Sequence, residues 1–211
     1  MSIMHIMTRR THLAGLAAGL VLSAPLTVAA KPLSLDEITA YLLGLTTARG
    51  RFTQINADGT TSKGTFYLHR PGRMRFEYDA PDPALVVAGG GALAIFDRKS
   101  NQGPQVFPLS ETPLNVFLSR QIDLENNPMI IGHEPGDRAT SVIAQDPEHP
   151  EYGTLRLVFT SGPTALHQWV ITDQSGQQTT IVLGELTQGE ELSSFLFNRV
   201  EIDQELKDGR Y

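Results

Sequence analysis

The strongest constraint on the fold is a repeated alternation of apolar and polar residues within short segments. In residues 73–78, Met74, Phe76 and Tyr78 share one face, and charged side chains, including Arg75, occupy the other. This alternation is typical of an antiparallel strand with one dry face and one face toward water. The charged face, with Arg75, is therefore predicted to lie in solvent.

Segments of the same kind recur along most of the chain, separated by turn signals. Residues 51–55 and 64–70 flank an Asp58-Gly59 turn, and 85–88 and 92–96 flank the Gly89–Gly91 triplet, which predicts a tight hairpin. Further strands are predicted at 105–109, 139–144, 154–159, 166–172 and 179–186. Strands at this spacing favour a barrel or a curved antiparallel sheet over a βαβ fold.

The first departure from strand patterning is a predicted helix over residues 33–48. Ser34 and Glu37 form a candidate capping box at its start, and Gly50 follows its end. Apolar residues recur at helical spacing in a single stripe, namely Leu35, Ile38, Leu42 and Leu45.

The second departure is a short helix predicted in residues 111–118. Thr112 is the candidate N-cap and Pro113 the first helical residue, with Leu114, Phe117 and Leu118 on one face. Two turns are marginal alone, so the stripe requires an apolar surface to pack against. A third segment, 191–203, is compatible with either a helix or a strand.

Arg70 stands out because alternation in residues 64–70 places it on the same face as Phe66 and Leu68. A guanidinium cannot be deprotonated in a protein and is rarely buried without acceptors. Carbonyls of a covering helix or loop would supply them. Alternatively, Arg70 lies in solvent at the strand end, next to Pro71.

Residues 1–30 have the layout of a secretory signal peptide. Arg9 and Arg10 precede an apolar run at 13–24, and Val28-Ala29-Ala30 predicts cleavage after Ala30. The arginine pair leaves twin-arginine export open, although His12 stands where that signal has an apolar aromatic residue. We expect residues 31–211 to form a single domain in the periplasm.

The composition argues against several classes of ligand and binding partner. The chain has no cysteine, so the fold cannot depend on disulfides or thiolate metal sites, and there is no cysteine to receive a lipid anchor. A soluble product is therefore expected. The net charge of −6 becomes −8 once the two leader arginines are removed. Such a chain is a poor ligand for nucleic acid or anionic membranes.

Signals for catalysis are sparse. The sequence contains no Gly-x-Ser-x-Gly elbow, His-Glu-x-x-His motif or P-loop. The histidines after residue 30 lack metal-ligand spacing, and residues 146–151, which combine His149 with three carboxylates and two prolines, are typical of a solvated loop. We expect no catalytic residue, no metal and no cofactor.

Four stretches carry a resemblance to a known family. They are R-F-T-Q (51–54), G-T-F-Y-L-H-R-P-G-R-M-R-F-E-Y-D-A-P (64–81), V-V-A-G-G-G-A-L-A-I-F-D (86–97) and T-P-L-N-V-F-L (112–118). The region 50–118 thereby resembles the periplasmic outer-membrane lipoprotein carrier (LolA) family. Phe76 departs from the tryptophan that this family often has at the same place.

The resemblance implies an unclosed antiparallel β-barrel covered by short α-helices that form a lid over an apolar cavity. The implied cavity residues are Phe52, Phe66, Leu68, Met74 and Phe76; the implied lid helix contains Pro113, Leu114, Phe117 and Leu118; and Arg70 is the implied latch. Asn115 interrupts the apolar residues of that lid.

The resemblance also implies a function and partners. A monomeric carrier of this family takes acylated lipoproteins from an inner-membrane ABC transporter to the outer membrane, where an acceptor receives them if one is present. Two other uses of the fold stay open: binding of a periplasmic lipid or glycolipid, and sensing of envelope stress. Sensors of that type carry a second domain.

Overall fold

One antiparallel sheet of eleven strands dominates the fold. The computed structural model describes residues 31–100 and 102–209, so the predicted signal peptide lies outside it. The strands are β1 (Thr47–Ile55), β2 (Thr61–His69), β3 (Met74–Tyr78), β4 (Ala84–Gly89), β5 (Ala92–Asp97), β6 (Gln105–Pro108), β7 (Ile130–Glu134), β8 (Ala139–Gln145), β9 (Thr154–Thr160), β10 (Ala165–Thr172) and β11 (Gln178–Gln188).

The sheet is not closed. Its strand order is β6-β5-β4-β3-β2-β1-β11-β10-β9-β8-β7, which leaves β6 and β7 as edges. The first and last strands are neighbours at the centre, where Phe52 pairs with Leu183. Residues 109–129 connect the two edges. The predicted mainly-β, unclosed antiparallel architecture is confirmed.

The predicted strands all form, and Gly89–Gly91 makes the tight β4–β5 hairpin expected from the sequence. One strand, β7, was not predicted. Its residues are half-buried or exposed and include Gly132, and its pairing with β8 is irregular between Ile130 and Gly132. An exposed edge strand needs no apolar alternation, so its sequence carries no period of two.

The first helix, α1, spans Leu35–Gly44. Its predicted capping box is present: the Ser34 hydroxyl accepts from the Glu37 N–H, and the Glu37 carboxylate accepts from the Ser34 N–H. The helix ends earlier than the predicted residue 48 because β1 begins at Thr47, and Ala48 pairs with both neighbouring strands. Within the described residues, no helix is long and apolar enough to cross a membrane.

Both faces of the sheet are partly covered. The inner face, which carries Phe66 and Leu68, packs against α1 and residues 109–124 in one large apolar cluster. The outer face of β4 and β5 packs against α3 (Arg199–Lys207) through a smaller cluster that includes Phe96 and Ile202. The ambiguous segment 191–203 is thus helical in part: a 3₁₀ turn at Ser194–Phe197 precedes α3.

Because the segment 194–207 covers the outer face, the prediction that Arg75 lies in solvent is wrong. Its side chain is only 2% exposed, although strand alternation does place it on the outer face. The guanidinium donates to the Glu77 carboxylate at 3.1 Å and to the Leu196 carbonyl at 3.2 Å. The prediction was wrong because the covering segment comes 121 residues later in the chain, beyond the reach of any local pattern.

Candidate functional site

The inner face of β1–β3 presents the five residues named above as cavity candidates. Phe66 pairs with Phe76 across β2 and β3, and Leu68 pairs with Met74, so all four point the same way. Phe52 on β1 joins them, with its ring centroid 4.9 Å from that of Phe76. Each of the five is at most 5% exposed. Antiparallel register therefore assembles one continuous apolar surface.

Trp169 on β10 completes this surface and was not identified from the sequence. Its ring centroid lies 5.7 Å from those of both Phe66 and Phe76, and 5.9 Å from that of Phe117. A bulge between Leu166 and Gln168 breaks the alternation of β10, so Leu166 and Trp169 face the same core despite a spacing of three. The feature of the sequence that could have pointed to this residue is that Trp169 is the chain's single tryptophan.

The short helix α2 spans Leu114–Leu118 and packs onto this surface. Pro113 is its N-cap with helical backbone angles; the predicted N-cap, Thr112, instead donates its hydroxyl to the Leu109 carbonyl at 2.9 Å. The reason is the 3₁₀ turn at Leu109–Glu111, which ends at Thr112 and takes up the Thr112 hydroxyl, so that it caps no N–H of α2.

The side chains of α2 occupy the space between the helices and the sheet. Phe117 and Leu118 are fully buried and Leu114 is 7% exposed. Pro113 is also buried, whereas Asn115 is half-buried at the margin. The buried set also includes Val116, so the covered face is wider than the predicted stripe. The interior is therefore filled by the protein's own apolar residues.

Arg70 is buried at the end of β2, only 8% exposed. Its Nη1 donates to the Leu42 carbonyl of α1, and its Nη2 donates to the Ser119 carbonyl, just after α2, at 2.8 Å. Both acceptors belong to helix C-termini, where carbonyls lack intrahelical partners and a cation is favoured. Burial lowers the pKa of Arg70, but a guanidinium stays charged in proteins.

A backbone contact reinforces the link at α2. The Gly72 N–H, in the β2–β3 turn, donates to the Leu118 carbonyl at 2.8 Å. The Arg70 N–H donates to the Thr46 carbonyl at the same distance. One hairpin end thus holds the C-termini of α1 and α2 together over the filled interior.

The site offers an apolar surface with one buried cation, Arg70, at its margin. Among residues 31–100 and 102–209, no group of three His, Cys, Asp or Glu side chains is placed to hold a metal ion. The loop around His149 lies at the surface, as its sequence predicted; that ring is 49% exposed and pairs with Glu151 at 3.1 Å. These groups are remote from the apolar interior.

The family model described as "Outer membrane lipoprotein carrier protein LolA" matches residues 44–200. A protein of Pseudomonas aeruginosa named outer-membrane lipoprotein carrier protein is 27% identical over 194 residues, covering 85% of this chain and 89% of the relative. One of the same name from Chromohalobacter salexigens is 26% identical over 180 residues, covering 81% and 84%.

Among solved structures, a LolA superfamily protein from Nitrosomonas europaea aligns with a TM-score of 0.44 and 10% identity, covering 79% of this chain and 98% of that one.

Proposed function

Because the chain belongs to the outer membrane lipoprotein carrier protein (LolA) family, we propose that it is a periplasmic carrier that binds the acyl chains of lipoproteins in its apolar interior. It receives them after release by an inner-membrane ABC transporter and delivers them to the outer membrane, to an acceptor where one is present. Its role is binding and transfer, without catalysis or a cofactor. Export by the leader at residues 1–30 and a single mature domain are parts of this proposal.

The energetics of the cargo call for such a carrier. A lipoprotein anchor exposes roughly forty methylene groups, each worth about 0.8 kcal/mol when buried, so passage through water costs tens of kcal/mol. A carrier must offer an apolar surface and then give the cargo up. The inner face supplies phenylalanine, leucine and methionine, and methionine repacks around varied shapes at little cost.

The observation that carries the proposal is the double contact of Arg70 with the C-termini of two covering helices. In the closed protein, Phe117 and its neighbours occupy the apolar interior. Acyl chains compete with these side chains for the same surface. The difference between the contacts of the closed and loaded states sets how tightly cargo is held. Arg70 is the latch, because its two hydrogen bonds stabilise the closed state relative to the loaded state.

Co-purification tests the proposal. The protein isolated from periplasm should bring intact acylated lipoproteins with it. Recovery of free fatty acid or glycolipid instead would contradict it and favour a lipid-binding role.

Two substitutions locate the binding surface. Leu114→Asp and Phe117→Asp each place a carboxylate in the apolar interior and should abolish uptake of a purified triacylated lipoprotein. Val200→Asp on α3, at a site 75% exposed on the outer face, is the matched control and should load normally. Normal loading of the α2 variants would show that α2 does not cover the cargo site.

A further inference from the structure

The sheet splits between β10 and β11. Their paired residues run from Thr172↔Gln178 to Gln168↔Val182, and both strands continue beyond that point. There, residues 165–167 and 183–186 face a groove of about 540 Å³, which we term the β10–β11 cleft. In the described part of the chain, each wall keeps its ladder on the far side only, β10 with β9 and β11 with β1.

The backbone of β10 is capped by a side chain in this cleft. The Leu166 N–H donates to the Tyr41 hydroxyl of α1 at 3.1 Å. Leu166 pairs with Phe159 of β9, but its N–H is directed to the other side, where an unbroken sheet would supply a carbonyl of β11. Tyr41 therefore takes the place of a strand. Its burial raises the pKa of the hydroxyl, which stays protonated at neutral pH.

The floor of the cleft belongs to the apolar interior. Leu166 and Leu183 are each 3% exposed and are members of the same core cluster as Phe66 and Trp169. Tyr41 and Leu186 are packed against that cluster. The cleft is thus a passage from the acyl-binding surface to the outside, with strand backbone on both sides.

One side chain that lines this passage lies one residue from an acceptor of the latch. Tyr41 adjoins Leu42, whose carbonyl accepts from Arg70. Loss of that hydrogen bond removes one restraint on the C-terminal turn of α1, and a displacement of that turn would move the Tyr41 hydroxyl away from Leu166. Opening at Arg70 and exposure of the cleft are therefore linked through two consecutive residues.

We propose that the β10–β11 cleft binds the extended polypeptide that follows the acylated N-terminus of the cargo, as a strand added between β10 and β11. The inference rests on the proposed function. Acyl chains held in the interior leave the attached polypeptide to emerge at some point of the sheet, and in this cleft both walls are strand backbone with no ladder between them. An acyl chain in the cleft would leave the Leu166 N–H without an acceptor, at a desolvation cost, whereas a strand satisfies it.

Three synthetic ligands test this with the unaltered protein. All carry the same triacylated N-terminal cysteine: the first continues for eight polar residues, the second ends after one further residue, and the third is the eight-residue ligand with alternate backbone amides N-methylated. The long ligand should bind about tenfold more tightly than the short one, which corresponds to one or two net hydrogen bonds. N-methylation should remove that gain.

Cross-linking locates the bound polypeptide. A benzophenone amino acid replaces His167, an exposed residue of the cleft, or Gln178, an exposed residue at the paired end of β11. The long ligand should be captured through its polypeptide at position 167 and not at 178.

The outcomes distinguish failure of this inference from failure of the proposed carrier function. If the short ligand fails to bind, the carrier proposal itself is wrong. If the long and short ligands bind equally, or N-methylation does not weaken binding, the carrier proposal is unaffected. Binding of the polypeptide as an added strand is then excluded. Capture of an acyl chain at position 167 would overturn the inference by assigning the cleft to lipid.

Discussion

The rings of Phe117 on α2 and Trp169 on β10 lie with their centroids 5.9 Å apart, and neither side chain is more than 1% exposed. This contact places the only tryptophan of the chain directly beneath the covering helix. Its fluorescence is thus a natural reporter of whether α2 is seated on the sheet.

Replacing Phe117 with alanine should destabilise the closed protein and strengthen cargo binding together. The lost ring costs about 3–5 kcal/mol of unfolding free energy, and the vacated space removes a competitor of the acyl chains. Denaturant unfolding and titration with a triacylated peptide, both followed by Trp169 fluorescence, measure the two effects. Phe96→Ala on β5, a buried ring of the separate outer cluster, should lose stability without the gain in affinity. Equal behaviour of the two variants would argue against competition.

Replacing Arg70 with leucine should leave uptake intact and slow delivery. Charged hydrogen bonds are worth about 1.5–3 kcal/mol each, so removing two from the closed state should slow release by about a hundredfold or more. The measurement is transfer of a labelled lipoprotein to outer-membrane vesicles. Arg73→Leu in the same hairpin, where Nε donates to the His69 carbonyl at 3.2 Å, is the control. Transfer at the wild-type rate by Arg70→Leu would remove the latch from the mechanism.

Gly89 should tolerate no side chain. A Cβ there would lie 2.2 Å from the Phe197 carbonyl oxygen, a backbone atom, so the segment leading to α3 must shift. Gly89→Ala should lower the unfolding free energy by about 1–3 kcal/mol, as other overpacked sites do. Gly44→Ala, at the end of α1 with no heavy atom within 4 Å, should be neutral or stabilising. Urea denaturation of both variants measures the change in the free energy of unfolding.

Acid should weaken the fold through His69. Burial, aided by the positive charge of Arg73, lowers the pKa of this imidazole. The unfolded chain, with its histidine pKa near 6.5, then takes up a proton that the folded chain resists, so the contribution is complete above about pH 6.5 and declines as pH falls below it. His69→Gln should lose less stability between pH 7 and pH 5 than the wild type.

Local patterns were sufficient for much of the fold because strand faces and helix caps are set within a few residues. Alternation correctly placed Phe66, Leu68 and Arg70 on one face, and Ser34 with Glu37 located the start of α1. The end of α1 could not be found this way, since it depends on the pairing of Ala48 with strands on both sides.

The contacts of the candidate site lie beyond local pattern. Arg70 was expected to need carbonyl acceptors, but the ones it uses are 28 and 49 residues away. Trp169 was missed because a bulge shifts the strand period at His167. Arg75 was misjudged because its cover comes from the far end of the chain. In each case the deciding neighbour is set by topology and not by spacing along the sequence.

The two edges of the sheet, β6 and β7, are consecutive strands joined by residues 109–129, and α2 lies in that connection. The distance between these two edges is therefore limited by a loop and not by the hydrogen-bonded ladder. Insertions in such a loop cost little entropy and disturb no strand pair. Under the proposed carrier function, a change in the length of this one connection would adapt the same sheet to bulkier or slimmer cargo.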